Sequence, residues 1–331
     1  MRRFVMFLVR LLNHTPIMRW FRTARGLRDQ YVDPQVRQLR GVIRQMERGE
    51  IDVLYLGDSS STFFGQDDAD HRRLPEMLEA ELGRRVTLLA GPGYSPELYA
   101  EFVRLLATLP QRPKAVVLTR AVRICYAVHV RQHPEYGYRR SVETLRRVPD
   151  AQHHLRAFDR RNRRTPADME RFRALPVTTR WGRASTVGGF LDQVRGRRGG
   201  PEVLERQQAL FDYFHGEPVT PDHPELVHLR ILAERLRDYG VPVVHYWPPI
   251  PVHKGEQYFP GEFAGHVHAA YDVCRAPFEE VLGGQALLVE SPFETPDDEF
   301  IDSADGSEHW NDAGRLRIAR RIAELLRDVG L

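Results

Sequence analysis

Ser59 closes the run Leu56-Gly57-Asp58-Ser59 directly after a short apolar stretch, and His309 opens the run His309-Trp310-Asn311-Asp312-Ala313-Gly314 near the C-terminus. A serine hydroxyl becomes a nucleophile when a base takes its proton, and that base works best when a third group orients it. The oxyanion that forms on the attacked carbonyl also needs donors. His309 is the candidate base. The acidic loop before it offers Asp305 as orienting carboxylate, with Asp302 second and the adjacent Glu308 as a further alternative. The backbone amides of Ser59 and Gly93 are the candidate oxyanion donors; Gly93 lies in Gly91-Pro92-Gly93-Tyr94-Ser95, where small residues let the backbone turn tightly. A helix starting just after Ser59 would bring its positive end to the same place. Together these residues predict covalent transfer of an acyl group from an ester or thioester to water or an alcohol.

Two arginines, Arg120 and Arg123, follow another apolar run. Either guanidinium can stabilise a developing negative charge or bind a substrate carboxylate or phosphate. Arg120 is carried as a further oxyanion candidate and Arg123 as a substrate-binding one. Asp58, Trp247 and Trp310 complete the substrate-binding candidates, Asp58 chiefly by hydrogen bonds that orient the turn and the tryptophans as pocket walls or core. His245, His253, His266 and His268 match no zinc spacing, so no metal is expected.

The elements that must position these residues follow from five short apolar runs, Ile51 to Leu56, Val86 to Ala90, Ala115 to Thr119, Val241 to Tyr246 and Ala286 to Val289. Runs that are apolar at nearly every position suit parallel strands covered on both faces. Between them, helical stripes are formed by Leu74, Met77, Leu78 and Leu82, by Leu98, Phe102, Leu105 and Leu106, and by Leu229, Leu232 and Leu236. Ser95 followed by Pro96 reads as a helix start and Gly240 as a helix stop. A last helix beginning near Asn311 carries Leu316, Ile318, Ile322 and Leu325. Strand and helix alternate as in a doubly wound α/β domain, where ligands bind at the carboxyl ends of the strands. All the candidate residues named above fall just after a run or in the loop that follows one.

At these residues the chain resembles the SGNH, or GDSL-like, hydrolase family, over about residues 50 to 331. The family's Gly-Asp-Ser element is similar to Gly57 to Ser59, and its His-x-Asn-x-x-Gly element to His309 through Gly314. The resemblance implies a five-stranded parallel sheet of order 2-1-3-4-5, as in flavodoxin-like folds, and cofactor-free ester or acyl-transfer chemistry. It also implies that Gly93, with Gly91 second, is an oxyanion glycine. Two positions depart from the family. No asparagine stands near Thr119 to Arg123, and the position three before His309, where the family has its aspartate, is Gly306. Asp305 is preferred as the orienting group because a loop absorbs one extra residue; a backbone carbonyl in that role would leave a dyad.

The chain is read as a basic amphipathic helical segment, residues 1–45, followed by an α/β domain, residues 46–331. Residues 131–224 form an arginine-rich helical insertion or lid between the third and fourth strands. Of 48 basic residues only Lys114 and Lys254 are lysine, and the formal charge of +3 is small, which argues against a nucleic-acid surface. Two cysteines are too few for a disulfide framework. The apolar start, Phe4 to Val9, is broken by Arg10, so no signal peptide is expected. The expectation is a cytoplasmic chain, with residues 1–25 able to lie on a membrane surface. Its expected substrate is a small-molecule, glycan or carrier-linked acyl ester. The rival expectation is a catalytically silent binding or accessory protein on the same fold, serving acylation or membrane-surface assembly.

Overall fold

The five apolar runs form five parallel strands, β1 Val53–Gly57, β2 Val86–Ala90, β3 Ala115–Thr119, β4 Val243–Tyr246 and β5 Ala286–Leu288, in the order β2-β1-β3-β4-β5. This is the order the resemblance implies. The computed structural model describes residues 34–125, 139–151, 166–194, 203–306 and 308–331. Residues 1–25, read as the membrane-facing segment, lie outside the described residues, as do Arg131 and Arg160 to Arg164 of the insertion.

Every residue of the central strands β1, β3 and β4 is buried, because the period-2 alternation sends consecutive side chains into two separate helical layers. Leu54, Leu56, Val116 and Leu118 meet one layer, built from α1 (Pro34–Glu47), α4 (Pro96–Leu106), α9 (Pro224–Tyr239) and α11 (Phe263–Leu282). Val53, Tyr55, Ala115 and Val117 meet the other, built from α3 (Leu74–Leu82) and α12 (Asp312–Asp328). Each aliphatic side chain so buried contributes roughly 1.5–3 kcal/mol. Leu39, Val42, Ile43 and Met46 bring α1 into the core, so the domain begins inside the stretch assigned to the N-terminal segment. The fourth run begins pairing through Pro242, whose carbonyl accepts from Val116 N but which has no N–H to return; the strand proper starts at Val243.

The helix punctuation follows the sequence. Ser95 accepts from Leu98 N with Pro96 in the first turn, and Gly240 ends α9 at φ 73°. Between β3 and β4 lie α5 (Arg139–Arg146), α6 (Pro166–Arg173), α7 (Val187–Val194) and α8 (Val203–His215). The last three share a small core of Phe172, Val177, Val187, Phe190, Leu210 and Tyr213. Part of the insertion's arginine content is spent on the domain: Arg146 pairs with Glu97 and Glu101 of α4. No helix among the described residues is long and apolar enough to cross a membrane.

Candidate active site

The nucleophile segment is set by its own side chains. Gly57 ends β1 where Ser61 comes back against it; a Cβ there would meet Ser61 Cβ at 2.9 Å and the Tyr55 ring at 3.0 Å, so glycine is required. Asp58 turns its carboxylate inward, 5% exposed, and accepts from Ser60 N at 2.8 Å and Ser60 Oγ at 2.6 Å. Ser61 Oγ donates to Asp58 O at 2.7 Å, and Phe63 N to Ser59 O at 2.9 Å. The result is a single helical turn, α2 (Ser59–Thr62), with Ser60 and Ser61 buried and Ser59 at its outer end. One turn is too short for the helix dipole expected from the sequence to act, so Asp58 serves here as the cap of the turn. On the α3/α12 face of the sheet, Thr119 Oγ1 donates to the Tyr246 hydroxyl at 2.6 Å, and the Tyr246 and Tyr55 hydroxyls bond to each other. Burial drives both phenols upward in pKa, so they remain neutral hydrogen-bonding groups.

The base segment is set by an antiparallel bridge between Phe300 and Trp310, in which Ile301 N donates to His309 O at 3.0 Å. Asn311 then does three things. Its backbone N–H donates to Glu299 O, its Nδ2 donates to Asp298 O, and its Oδ1 accepts from Gly314 N to cap α12. A Cβ on Gly314 would lie 2.6 Å from Trp310 Cδ1 and 3.0 Å from Glu299 O, which accounts for the glycine five residues after the histidine. His309 Nε2 comes within 3.3 Å of Ser59 Oγ. The imidazole stacks on Phe63, with centroids 4.8 Å apart, and Phe63 is 50% exposed. Burial, and then the charge of Arg123, lowers the His309 pKa to about 3, so the resting ring is neutral.

Around this pair the structure sorts the remaining candidates. Asp305 forms a two-pronged ion pair with Arg206 of α8, both contacts at 3.3 Å. Asp302 accepts from Ala304 N at 3.1 Å, capping the 3-10 turn Ser303–Asp305. Glu308 is 1% exposed and lies 3.3 Å from Arg123 Nε, without an aligned hydrogen bond to either of its oxygens. Burial raises its pKa to about 7, outweighing the opposite pull of Arg123. The backbone of Gly93 takes φ 67°, which favours glycine, and Gly91 N donates to Gly57 O at 3.4 Å, fixing this loop beside the nucleophile turn.

Three candidates are placed elsewhere. The Arg120 guanidinium is 2% exposed, lies 4.2 Å from the Trp247 ring centroid and 3.9 Å from that of Phe278, and donates to the Cys274 and Arg275 carbonyls of α11. These contacts commit it to packing α11 on the sheet rather than to Ser59. Trp247 is 1% exposed in an aromatic core with Tyr271, and Trp310 is fully buried with Nε1 donating to Thr295 Oγ1. Both indoles are core.

Some site residues have no signal in the sequence. His215, at the end of α8, is fully buried, donates from Nε2 to Gly306 O at 3.3 Å and lies 4.0 Å from Glu308. Burial, then Arg123, lowers its pKa to about 3. Arg315, also fully buried, reaches across from α12 to Asp68 at 2.7 Å and to the Asp70 and Arg72 carbonyls, so the loop after the nucleophile is tied to the helix after the base. Phe63, by contrast, has a signal in the sequence, the apolar pair Phe63-Phe64 one residue beyond the serine run.

No family model matches the chain, and no curated protein matches it in sequence. Among solved structures it is similar to a carbohydrate acetylesterase family member from Sinorhizobium meliloti, with 11% identity over 85% of this chain and 100% of that chain and a TM-score of 0.36.

Proposed function

We propose that this chain is a serine ester hydrolase or O-acyltransferase of the SGNH kind, acting through an acyl-enzyme on Ser59. The observation that carries this is the 3.3 Å approach of His309 Nε2 to Ser59 Oγ, made by segments from opposite ends of the domain. In the reaction, Ser59 Oγ bonds to the ester carbonyl carbon while its proton passes to His309 Nε2, and the carbonyl electron pair moves to oxygen. The amides of Ser59 and Gly93 are the backbone donors for that oxyanion. Collapse breaks the bond to the alcohol, which leaves with the proton from His309, and water or an acceptor hydroxyl then reverses the sequence to release the acyl group. The substrate class is a small-molecule, glycan or carrier-linked acyl ester.

A fluorophosphonate probe followed by intact-mass measurement tests this. Wild type is expected to gain one probe adduct at neutral pH, whereas Ser59→Ala gains none and His309→Ala reacts at least about 100-fold more slowly. One observation favours a second reading, a catalytically silent binding or accessory protein: Asp305 is held by Arg206. A folded wild type that takes no adduct supports that reading and overturns the first.

A further inference from the structure

Arg123 sits on the 3-10 turn Val122–Cys125, which leaves β3 at the same sheet edge as Ser59 and His309. Its side chain is 15% exposed, and its charge acts on His309. Two neighbours fix it. Glu308, the residue immediately before His309, lies 3.3 Å from its Nε, and the Phe214 ring packs with its centroid 5.3 Å from Cζ. Glu308 is itself 1% exposed, so the carboxylate that locates Arg123 belongs to the interior rather than to solvent. The other arginine of this stretch, Arg120, is occupied with α11 carbonyls.

We propose that Arg123 is the side-chain donor to the oxyanion formed when Ser59 attacks the ester carbonyl, and that Glu308 is the positioning residue that holds its guanidinium there. The proposal rests on the acyl-enzyme reading above. It gives a role to a cation that is unfavourable in the resting site, where its charge opposes protonation of His309 and His215. When Ser59 attacks, the proton reaches His309 in the same step that puts negative charge on the carbonyl oxygen. An anion then lies near both the imidazolium and the guanidinium, and the opposition becomes attraction. An interaction that appears only as the oxyanion appears lowers the barrier without tightening substrate binding. It also gives a side-chain donor to a turn that carries no asparagine between Thr119 and Cys125.

The test uses the full chain, with kcat and KM for p-nitrophenyl acetate and the rate of fluorophosphonate labelling as readouts. Arg123→Met is expected to lower kcat about 10²- to 10³-fold with KM changed by less than about threefold, as for loss of one oxyanion donor. Guanidinium added to Arg123→Ala is expected to restore at least about tenfold, since the missing group is a freely available cation. Glu308→Gln, which keeps an oxygen for Nε, should lose less than about tenfold. Unchanged kcat in Arg123→Met, a loss confined to KM, or a folded Arg123→Ala that guanidinium does not rescue each overturns the assignment. A loss confined to KM would instead make Arg123 a receptor for an anionic group of the substrate. If Arg123→Ala does not fold, Arg123→Lys decides: wild-type kcat in that variant overturns the guanidinium as donor, and a fall in kcat at constant KM supports it. Wild type that neither turns over nor labels overturns the acyl-enzyme reading and this one together. Wild type that labels at the same rate as Arg123→Met overturns this one alone.

Discussion

The two halves of the site are held in different ways. On the nucleophile side, the bonds that shape the turn run between Asp58, Ser59, Ser60, Ser61 and Phe63, all within five positions of one another. On the base side, the loop before His309 is held by residues distant in sequence. Arg206 takes Asp305, His215 takes Gly306 O, Arg123 lies against Glu308, and Phe211 packs so closely that a Cβ on Gly306 would lie 3.3 Å from its ring. Three of these four, Arg206, Phe211 and His215, come from α8 of the insertion. The nucleophile geometry is therefore a local property of a short peptide, whereas the base segment adds to its own Phe300–Trp310 bridge a set of tertiary braces, most of them from the insertion.

The strongest way to break this contrast is to cut the link between the halves. Arg315 is fully buried, and its guanidinium bonds to Asp68 and to the carbonyls of Asp70, Arg72 and Trp310. Arg315→Met leaves Asp68, itself 7% exposed at the side chain, without its cation. Removing one partner of such a pair costs about 3–5 kcal/mol. Urea unfolding should report a loss of that size, and fluorophosphonate labelling of the folded fraction should slow, because the Phe63 loop and the His309 segment are no longer held together. A loss below about 1 kcal/mol would show that solvent or a neighbour replaces the guanidinium.

The same contrast explains what was legible beforehand. The five strands, the Ser95 and Gly240 helix boundaries and the pairing of Ser59 with His309 rest on patterns a few residues long, so they can be read from the chain directly, whereas the sheet order follows only from the resemblance to the SGNH family. The carboxylate question cannot, because loop spacing treats Asp302, Asp305 and Glu308 alike and only the location of Arg206 and Arg123 in space separates them. Arg120 and Arg123 present the same difficulty. They are three positions apart at the end of one strand, yet one turns into the aromatic packing of α11 and the other toward Glu308. Trp247 and Trp310 follow strand ends or precede a helix, as pocket residues would, but their large apolar surface is better satisfied by the core, Trp310 between the sheet and α12 and Trp247 against α11.

A second test sharpens the base side by comparing two buried glutamates. Glu290, 1% exposed, accepts from Arg317, from Arg321 at 2.8 Å and from Thr295 at 2.9 Å. Glu308 is as deeply buried and has an ion-pair neighbour but no aligned hydrogen bond, and its pKa rises from 4.5 to about 7. A carboxyl whose folded pKa lies above its unfolded value contributes stability below pH 4.5 and loses it as pH rises to about 7. The loss amounts to about 3 kcal/mol, since each pKa unit is worth about 1.4 kcal/mol. His215 and His309 act in the opposite sense, losing stability as pH falls below 6.5. The wild-type minus Glu308→Gln difference isolates the carboxyl. Chemical unfolding at pH 4 and pH 8 should show Glu308→Gln gaining on wild type by up to about 3 kcal/mol at the higher pH. A gain at the lower pH would mean that the folded pKa of Glu308 lies below the unfolded 4.5.

The smallest expected effect bears most directly on the base. Asp305 was the favoured orienting carboxylate, and the structure pairs it with Arg206 at a site where the two side chains are 25% and 18% exposed. If its work is to tie the loop to α8, Asp305→Asn loses a partly solvated ion pair, worth at most about 1 kcal/mol, and the labelling rate at Ser59 changes by no more than about threefold. Arg206→Met should then produce the same stability change, and the double variant should add little, because both substitutions remove one interaction. If instead Asp305 orients His309, Asp305→Asn lowers the labelling rate by about 10⁴, the scale seen when a triad aspartate is lost, while Arg206→Met leaves it nearly intact. Agreement of the two single variants in stability, together with a small effect on rate, would place the orientation of His309 in the Phe300–Trp310 bridge and the Phe63 stack rather than in a carboxylate. The base would then be aimed by packing and backbone pairing, and its activity should respond to Phe63→Ala more than to Asp305→Asn.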